Sequence, residues 1–427
     1  MRQRTSIGRL SLADHKKSQS HLENTSSFLQ INLIIPHQET SPALHQSTIN
    51  MATATVTTTT LDKEFNEPPK MTVHAAPPVQ VHDTPILNVL DESVHYGDFR
   101  DGKLLILSTS SQSPCSSFPP DLARDGYCVV KNVLEKEKAL KYADDIKDWL
   151  ESFGLGYKRD DPSTIREECL PIIHQKGLVQ AYGATHESFT WGVRSEPAVI
   201  DVFAKLYDDE DLICSFDAVN VSLANRQDLP ANGAWPHQDQ DPERGGLRCV
   251  QGFVNLLPNG PEDGGLLVLK GGHKVSEEYH NIFRNEERGF RWTNEIYLFK
   301  DTGLKWLADR GYEWVKVDAE PGDLVLWDSR TPHYNASPKK DTDRFVVYVC
   351  MLPVSTATQD DLKLKKKLFE EQHGHSHWPM ALQPFIKEYL QPMRNGKPDP
   401  LNTWKPRQPP QLSERGYKLT GIPYIKA

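Results

Sequence analysis

The alternation of hydrophobic and polar residues predicts several helices and strands along the chain. Apolar residues recur three and four positions apart over residues 135–153 and 197–207, which indicates two amphipathic helices. The first of these should lie against the outer face of a sheet. A short helix is predicted over 118–124 and another over 359–372, whereas the apolar segments 126–133 and 211–224 are predicted to be strands.

Between residues 247 and 353, short apolar runs alternate with turns, and no convincing long helix interrupts them. The turns contain residues that fix φ or tolerate positive φ, as in Asp263-Gly264-Gly265 and in the sequence Pro-Gly-Asp at 321–323. This pattern is typical of an antiparallel, double-layered β architecture. We therefore expect a mainly β fold with flanking α-helices.

The two ends of the 427-residue chain differ in composition from its middle. Residues 1–84 are rich in Ser, Thr, His, Gln and Pro and lack sustained apolar patterns, so we expect this segment to be disordered. Met51 is an alternative start of translation. An ordered domain is expected over 85–355, and residues 356–427 should form a helix followed by a Pro-rich tail that wraps the domain in extended conformation.

Charge and cysteine content argue against several classes of protein. Lys and Arg total 49 against 58 Asp and Glu, a formal net charge of −9, so no global basic field indicates binding to nucleic acid or to an anionic membrane. No stretch of about eighteen apolar residues predicts a transmembrane helix. The six cysteines are scattered without a C-x-x-C pair, which indicates buried thiols in a reducing compartment. We expect a cytoplasmic protein and leave mitochondria, peroxisomes and the oligomeric state open.

The candidate chemistry centres on the stretch Trp-Pro-His-Gln-Asp at residues 235–239. In an extended backbone, residues two apart point to the same side, so the imidazole of His237 and the carboxylate of Asp239 can aim at one point. An H-x-D triplet also arises by chance and can be a polar turn. A third ligand must come from a distant segment, and the best candidate is His333, which follows the apolar run 324–327.

Two His and one carboxylate form a set of ligands with a specific use. On one face of an octahedron they leave three positions free, which is how non-heme Fe(II) binds a chelating co-substrate and dioxygen. Arg344 begins a strand-like run after His333, where its guanidinium can clamp a dicarboxylate bidentately. The alternative for Arg344 is a surface ion pair with Asp341 or Asp343.

Further motifs stand in a fixed order around these residues: the segments 125–130, 236–239, 263–274 and 320–324, followed by His333 and Arg344. In this order they resemble the phytanoyl-CoA dioxygenase family of Fe(II)- and 2-oxoglutarate-dependent oxygenases, over roughly residues 118–353. The resemblance implies a double-stranded β-helix, or cupin-like jelly-roll, that uses Fe(II), 2-oxoglutarate and O2. His237, Asp239 and His333 would hold the metal, and Arg344 would hold the distal carboxylate of 2-oxoglutarate.

Residues near these motifs complete the predicted site. Phe253 and Gln251 share a strand face that can line the co-substrate pocket, although Phe253 is equally well explained as ordinary core. Asn335 lies on the same strand face as His333 and is expected to donate a hydrogen bond to a co-substrate carboxylate. His273 is a possible fourth ligand, but a structural hydrogen bond at a turn is favoured for it.

Three other polar segments allow more than one interpretation. Residues 177–194 are either a passage from surface to core, with Trp191 packed and the polar groups solvated, or a lid that contacts the substrate. The lysines of 363–367, Lys365 among them, are expected to be solvated. The histidines of 373–377 are expected in an exposed loop and not in a structural zinc site.

The predicted activity is hydroxylation of a small, mostly apolar metabolite with release of succinate and CO2, while desaturation and ring chemistry stay open. An acyl-CoA is disfavoured because its phosphates need clustered cations, and only Arg244, Arg248, Lys270 and Lys274 are candidates. Two other functions are a jelly-roll that binds a small molecule or partner without catalysis and a cupin-like metalloenzyme without a keto acid. The intact site residues argue against the first, and Arg344 argues against the second.

Overall fold

The computed structural model describes residues 95–100, 103–107, 120–224, 226, 228–242, 244, 246–283, 296–338 and 341–426. The segment 1–84, for which disorder is predicted, and Met51 within it lie outside the described residues. In the described part, antiparallel β-sheets form the centre and helices flank them, so the predicted fold class is confirmed.

The described helices range from five to sixteen residues. None of them is long and apolar enough to cross a lipid bilayer. In chain order they are α1 (Pro120–Asp125), α2 (Lys136–Glu151), α3 (Ser188–Arg194), α4 (Pro197–Tyr207), α5 (Ser276–Phe283), α6 (Asp301–Ala308), α7 (Gln359–Glu370) and α8 (Glu414–Lys418).

The described strands are short, and all of their pairings are antiparallel. In chain order they are β1 (His95–Arg100), β2 (Lys103–Leu107), β3 (Tyr127–Val130), β4 (Leu178–Val179), β5 (Leu212–Cys214), β6 (Val219–Ser222), β7 (His237–Gln238), β8 (Val250–Asn255), β9 (Gly265–Leu269), β10 (Tyr297–Leu298), β11 (Trp314–Lys316), β12 (Leu324–Asp328), β13 (His333–Ala336), β14 (Arg344–Tyr348), β15 (Met351–Pro353), β16 (Met393–Arg394) and β17 (Lys397–Pro398).

Two sheets make up the double layer. One has six strands in the order β3-β12-β8-β14-β6-β4, and the other has five in the order β10-β7-β13-β9-β11. Apolar side chains of β8, β12 and β14 from the first sheet form one buried cluster with those of β9 from the second. The members of this cluster include Phe253, Leu266, Val268, Val325, Trp327 and Val346. The two layers therefore pack face to face, as a jelly-roll requires.

The helices predicted from apolar periodicity are present. α4 has the bounds that the sequence predicts, because Pro197 suits the first helical position and Asp208 ends the helix with a left-handed φ of 51°. α7 begins at a capping box formed by Thr358 and Asp361. α2 packs against α3, and its buried residues belong to the core cluster that also contains residues of the six-stranded sheet.

The single long strand predicted over 211–224 is wrong. The segment forms two strands in different sheets, since β5 pairs with β15 while β6 pairs with β14 and β4. Between them the backbone of Phe216 leaves the ladder and hydrogen-bonds His375: its N–H donates to Nε2 at 3.2 Å, and its carbonyl accepts from the His375 N–H at 3.1 Å. A continuous apolar pattern cannot reveal such an interruption, because the partner comes from a distant segment.

Residues 247–353 also contain two helices that the sequence did not indicate, α5 and α6. Each has eight residues. Their apolar side chains form a separate small cluster with Tyr297 and Phe299, beside the five-stranded sheet. The strand-and-turn pattern of this region is otherwise confirmed.

Hydrogen bonds join the C-terminal tail to the rest of the domain. The Ser188 N–H donates to the carbonyl of Gln408 at 2.8 Å, and the Cys214 N–H donates to that of Leu419 at 2.9 Å. The N–H of Gln408 donates in turn to the Glu187 carboxylate. The tail is not extended throughout, because α8 forms near its end.

The five cysteines in the described part of the chain are buried and free, in line with the expectation of buried thiols. Two of them are neighbours, since the Sγ atoms of Cys249 and Cys350 lie 2.9 Å apart.

Candidate metal centre

Two strands of the five-stranded sheet bring the candidate histidines together. β7 and β13 pair antiparallel, and His237 stands directly opposite His333 in their register. The centroids of the two imidazole rings are 4.3 Å apart. Because directly opposed residues of an antiparallel pair project to the same face, the register alone explains how two segments distant in sequence present their rings to one point.

Asp239 follows β7 and completes the cluster. Its backbone N–H donates to the carbonyl of Ser329 at 3.1 Å. Its carboxylate oxygens lie 3.7 Å from Nε2 of His237 and 3.3 Å from Nε2 of His333. The candidate ligand atoms of these three residues all lie within 4.8 Å of one another, a spacing that can hold one metal ion.

Both imidazoles turn the same nitrogen toward Asp239. Nδ1 of His237 lies 3.1 Å from the carbonyl oxygen of Trp235, and Nδ1 of His333 lies 2.9 Å from that of Thr331. A carbonyl only accepts, so this network assigns the proton to Nδ1 and leaves the lone pair on Nε2. Backbone carbonyls that fix the tautomer in this way are typical partners of metal-binding histidines.

Burial and mutual charge set the protonation of the cluster. His237 and His333 are each 5% exposed. Burial lowers the pKa of His237 to about 3, and the neighbouring charge of His333 acts in the same direction. Burial alone would raise the pKa of Asp239, but its proximity to the imidazoles of His237 and His377 holds that pKa well below its usual range. A neutral His237 beside an ionised Asp239 suits metal binding.

Residues around the cluster hold it in position. The indole of Trp235 stacks on the ring of His237 with 4.1 Å between centroids and 10° between planes. The ammonium of Lys176 lies 3.3 Å from the centroid of that indole on the cavity side. Nε2 of Gln251 donates to Oδ2 of Asp239 at 3.0 Å. The donor set and its supports therefore fit a divalent metal.

A cavity of about 210 Å³ opens onto this cluster. Residues of both sheets line it, and so do residues of a segment that follows α7. Arg344, at the start of β14, reaches the same cavity although its side chain is only 2% exposed.

The guanidinium of Arg344 is not fully satisfied by the protein. Nη1 donates to Oδ1 of Asn220 at 3.0 Å, whereas Nε is buried without a hydrogen-bond partner. Burial lowers the pKa of Arg344, and the titratable neighbour that acts on it is the phenol of Tyr348 and not a carboxylate. A buried cation with an unfilled donor fits an anionic ligand, and a carboxylate matches its fork.

The alternative of a surface ion pair for Arg344 is wrong. The side chain is buried, and in the described residues neither Asp341 nor Asp343 is its partner. The carboxylate of Asp343 instead accepts a hydrogen bond from the backbone N–H of Ala224 at 2.8 Å.

Phe253 and Asn335 also line the cavity. Phe253 belongs to the cluster between the sheets and lies 5.0 Å from the guanidinium carbon of Arg344, so it is core and cavity wall at once. Nδ2 of Asn335 donates to the carbonyl of Lys176 at 3.2 Å, and its Oδ1 is buried without a partner. Nδ2, which was predicted to donate to the co-substrate, is therefore already bonded within the protein, and Oδ1 is the atom of this amide that has no partner.

His273 lies apart from the cluster. Its Nε2 is 3.0 Å from the carbonyl oxygen of Ala123, and its ring packs against Gly126, whose φ is +82°. This is the structural hydrogen bond that the sequence favoured for His273.

Most polar residues of 177–194 are buried, so their predicted solvation is wrong for Thr185, His186, Glu187, Thr190 and Arg194. Arg194 is inaccessible to solvent and donates to the backbone carbonyls of Thr185, Asp217 and Tyr348. The lid interpretation fits only the beginning of this segment, because Leu178 and Gln180 line the cavity.

Two predictions for the region after β15 are wrong in part, although Lys363, Lys366 and Lys367 are exposed as predicted. Lys365 is fully buried, not solvated; its ammonium donates to the carbonyl of Cys214 and lies 3.5 Å from Nε2 of His375. His375 is fully buried as well, so 373–377 is not simply an exposed loop. Helical periodicity assigns Lys365 to the packed face of α7, but the local run of lysines obscured that signal.

Sequence reasoning missed several polar residues that line the cavity, among them Lys176, Asp217, Tyr348 and His377. Tyr348 could have been found, because it lies four positions after Arg344 on the same strand and therefore on the same face. The other three reach the cavity through long-range packing, for which the sequence carries no local signal.

Comparison of the chain with known proteins shows which family it matches. Residues 122–340 match the family model described as phytanoyl-CoA dioxygenase (PhyH). A protein of Aspergillus versicolor, Ava biosynthesis cluster protein O, is 38% identical over 288 residues, which span 67% of this chain and 87% of that protein.

Solved structures of similar topology share little sequence with this chain. The crystal structure of EctD from S. alaskensis with 2-oxoglutarate and 5-hydroxyectoine is 15% identical and has a TM-score of 0.39, covering 71% of this chain and 92% of that one. The epimerase SnoN, in complex with Fe3+, alpha ketoglutarate and nogalamycin RO, is 16% identical with a TM-score of 0.40, covering 69% of this chain and 94% of that one.

Proposed function

The chain belongs to the phytanoyl-CoA dioxygenase family of Fe(II)- and 2-oxoglutarate-dependent oxygenases, and we propose that it hydroxylates a small, mostly apolar metabolite. Fe(II), 2-oxoglutarate and O2 are the cofactors and co-substrates of this enzyme class. As its organisation we propose an oxygenase domain over 85–355, preceded by a disordered segment and completed by 356–427.

One observation carries the proposal: a buried His-Asp-His cluster and a buried, incompletely satisfied arginine share one cavity. We assign His237, Asp239 and His333 to the metal, because their lone pairs converge and their outer nitrogens are tied to the backbone. We assign Arg344 to the distal carboxylate of 2-oxoglutarate, because its free Nε needs an acceptor.

Bound Fe(II) and 2-oxoglutarate supply the oxidising chemistry, in which O2 converts the keto acid to succinate and CO2 while one substrate C–H group is hydroxylated. The protein contributes orientation and exclusion of water. Asn220 orients the Arg344 fork, and Phe253 covers one side of it, so that the carboxylate pairs in a dry environment where the interaction is stronger. Gln251 holds the Asp239 carboxylate in place.

The cavity supports an apolar metabolite over a CoA thioester. Leu178, Leu266 and Ile296 are among the apolar residues that line it. None of the four cations considered for CoA phosphates lines the cavity, and Lys270 is engaged with Asp125 at 3.4 Å. The name of the Aspergillus versicolor relative refers to a biosynthesis cluster, which also fits a small-molecule substrate.

The test is formation of succinate from 2-oxoglutarate by the Fe(II)-loaded full chain, with a panel of apolar metabolites, their free acids and CoA thioesters. We expect apolar small molecules to stimulate succinate release and to gain one oxygen by mass spectrometry. Stimulation by CoA thioesters alone would replace the proposed substrate class with acyl-CoA. Absence of succinate under every condition, with tight binding of a small molecule, would favour the non-catalytic binding protein.

A further inference from the structure

The cavity has a wall that neither the metal nor 2-oxoglutarate requires. It consists of residues between 376 and 390, which we call the C-terminal wall. Phe385, Ile386 and Tyr389 give it an apolar surface, and His377 and Gln383 are polar members. The whole wall lies beyond residue 340, where the match to the family ends. This side of the cavity is therefore built from a segment that the family pattern does not describe.

The wall is held in position by contacts that face away from the cavity. The chain folds back on itself, since the Ser376 N–H donates to the carbonyl of Gln383 at 3.0 Å and the Phe385 N–H donates to that of Gly374 at 3.0 Å. His375 is anchored to the backbone of Phe216 by the two hydrogen bonds described above, one through its backbone N–H and one through its ring Nε2. A side chain on such a closed loop is presented to a ligand with little loss of conformational freedom.

His377 is a polar residue of this loop that lines the cavity. Its Nε2 is buried and has no hydrogen-bond partner. It shares the cavity with the metal cluster, although it is not one of the three residues whose ligand atoms converge. A buried ring nitrogen without a partner is unfavourable, and the neighbouring wall residues offer it apolar surface.

We infer that His377 hydrogen-bonds one hydroxyl or carbonyl oxygen on an otherwise apolar substrate, and that the C-terminal wall covers the apolar body of that substrate. This inference rests on the proposed function and specifies its substrate class. The imidazole can serve either group, because it donates to a carbonyl when Nε2 is protonated and accepts from a hydroxyl when it is not. Anchoring the oxygen fixes which carbon of the substrate faces the metal end of the cavity.

The inference is tested by binding of three bicyclic probes that differ only in one oxygen: 1-tetralone, 1-tetralol and tetralin. Equilibrium dialysis under nitrogen, with the full chain carrying Fe(II) and 2-oxoglutarate, gives their dissociation constants without turnover. His377→Phe keeps a ring but removes both nitrogens. Loss of one neutral hydrogen bond should weaken 1-tetralone and 1-tetralol by about three- to tenfold relative to tetralin.

Two further variants separate recognition from general damage. His377→Gln restores an amide at a similar reach and should retain most of the preference for the oxygenated probes. Tyr389→Ala removes apolar wall at the exposed side of the cavity, so it should weaken all three probes by the same factor. Equal weakening of the three probes by His377→Phe, or no measurable binding of any probe to the wild type, would overturn the inference.

The same dialysis experiments without metal and 2-oxoglutarate distinguish failure of this inference from failure of the proposed function. The difference in affinity between 1-tetralone and tetralin that depends on His377 should persist without metal and 2-oxoglutarate, because the hydrogen bond from His377 does not involve the metal. If succinate is never formed but the difference persists, the oxygenase proposal fails alone. If succinate is formed but the difference is absent, the role of His377 fails alone.

Discussion

Two buried cations, Arg344 and Lys365, occupy different regions of the molecule and have different surroundings. Lys365 lies between α7 and the core, where its ammonium reaches the carbonyl of Cys214 and Nε2 of His375. Arg344 lies at the cavity, where Asn220 takes one donor and Nε has no partner. Both are buried, so burial does not distinguish them. The unfilled donor beside a cavity is what marks Arg344 as a ligand-binding group.

The difference in side-chain chemistry strengthens this comparison. Burial lowers the pKa of Lys365 to about 7, so this amine can lose its charge and remain in the core as a neutral donor. A guanidinium keeps its charge under the same conditions. Arg344 therefore needs an anion, whereas Lys365 does not. Substitutions at the cavity should impair function, and those beneath α7 should change stability.

The largest expected effect follows from loss of a metal ligand. His333→Ala should abolish turnover and reduce Fe(II) affinity by more than the about 10- to 100-fold that loss of an outer-shell partner costs. Anaerobic Fe(II) titration and succinate assays measure the two effects. His273→Gln is the matched control, because His273 is buried but lies apart from the cluster. Loss of iron in the control and its retention in His333→Ala would move the third ligand to His273.

Arg344→Met should produce the next largest effect. Truncation of a buried charge pair costs about 2 to 5 kcal/mol, which corresponds to an increase of about thirty- to several-thousand-fold in the half-saturating concentration of 2-oxoglutarate. Iron binding should stay nearly intact, because Arg344 supplies no metal ligand. A titration with 2-oxoglutarate at saturating Fe(II) measures the change. Coinciding curves for wild type and variant would remove Arg344 from the co-substrate site.

Lys365→Met should leave the affinity for 2-oxoglutarate unchanged and alter the pH dependence of stability. From about pH 7 to the ordinary lysine pKa of 10.5, the folded amine is neutral while the unfolded one is protonated. The unfolded state then binds more protons, so the contribution of Lys365 to the free energy of unfolding rises with pH by up to about 1.4 kcal/mol per unit. His375, whose pKa is lowered well below its usual range, stays neutral in this window.

Urea unfolding at pH 7.0, 8.0 and 9.0 (about one unit apart) measures this slope. Lys365→Met should lose it relative to the wild type, whereas Lys366→Met, which changes an exposed lysine of the same helix, should keep it. Equal slopes in all three proteins would mean that Lys365 remains protonated in the folded state, and the contrast with Arg344 would then rest on contacts alone.

Local patterns predicted much of the fold because the spacing of apolar residues within a helix or strand shows which of its faces is buried. α4 has its predicted bounds, since apolar spacing runs through its eleven residues and a proline occupies the first of them. The sequence indicated His237 and Asp239 because residues two apart in an extended chain point to the same side. It indicated His333 and Arg344 through the apolar runs beside them and through the order of motifs that resembles the phytanoyl-CoA dioxygenase family.

The errors share one physical cause. Lys365, His375 and Arg194 are polar residues that are buried because distant backbone carbonyls or rings satisfy them. Composition alone assigns such residues to the surface, because unpaired they would be too costly to bury. The partners become known only when the chain is folded. The split of 211–224 into two strands has the same origin, since the interruption depends on His375.

β7 is short, and its length should affect where the folded protein opens locally. β7 has two residues, and it joins β13 through the single register pair of His237 and His333. Few backbone hydrogen bonds join β7 to β13, so local opening between these two strands should cost less free energy than opening in the six-stranded sheet. A metal ligated from both strands would act as a cross-link at that weak point. Hydrogen exchange of the β7 amides would then report metal occupancy directly, slowing on binding while the amides of β8 and β12 stay unchanged.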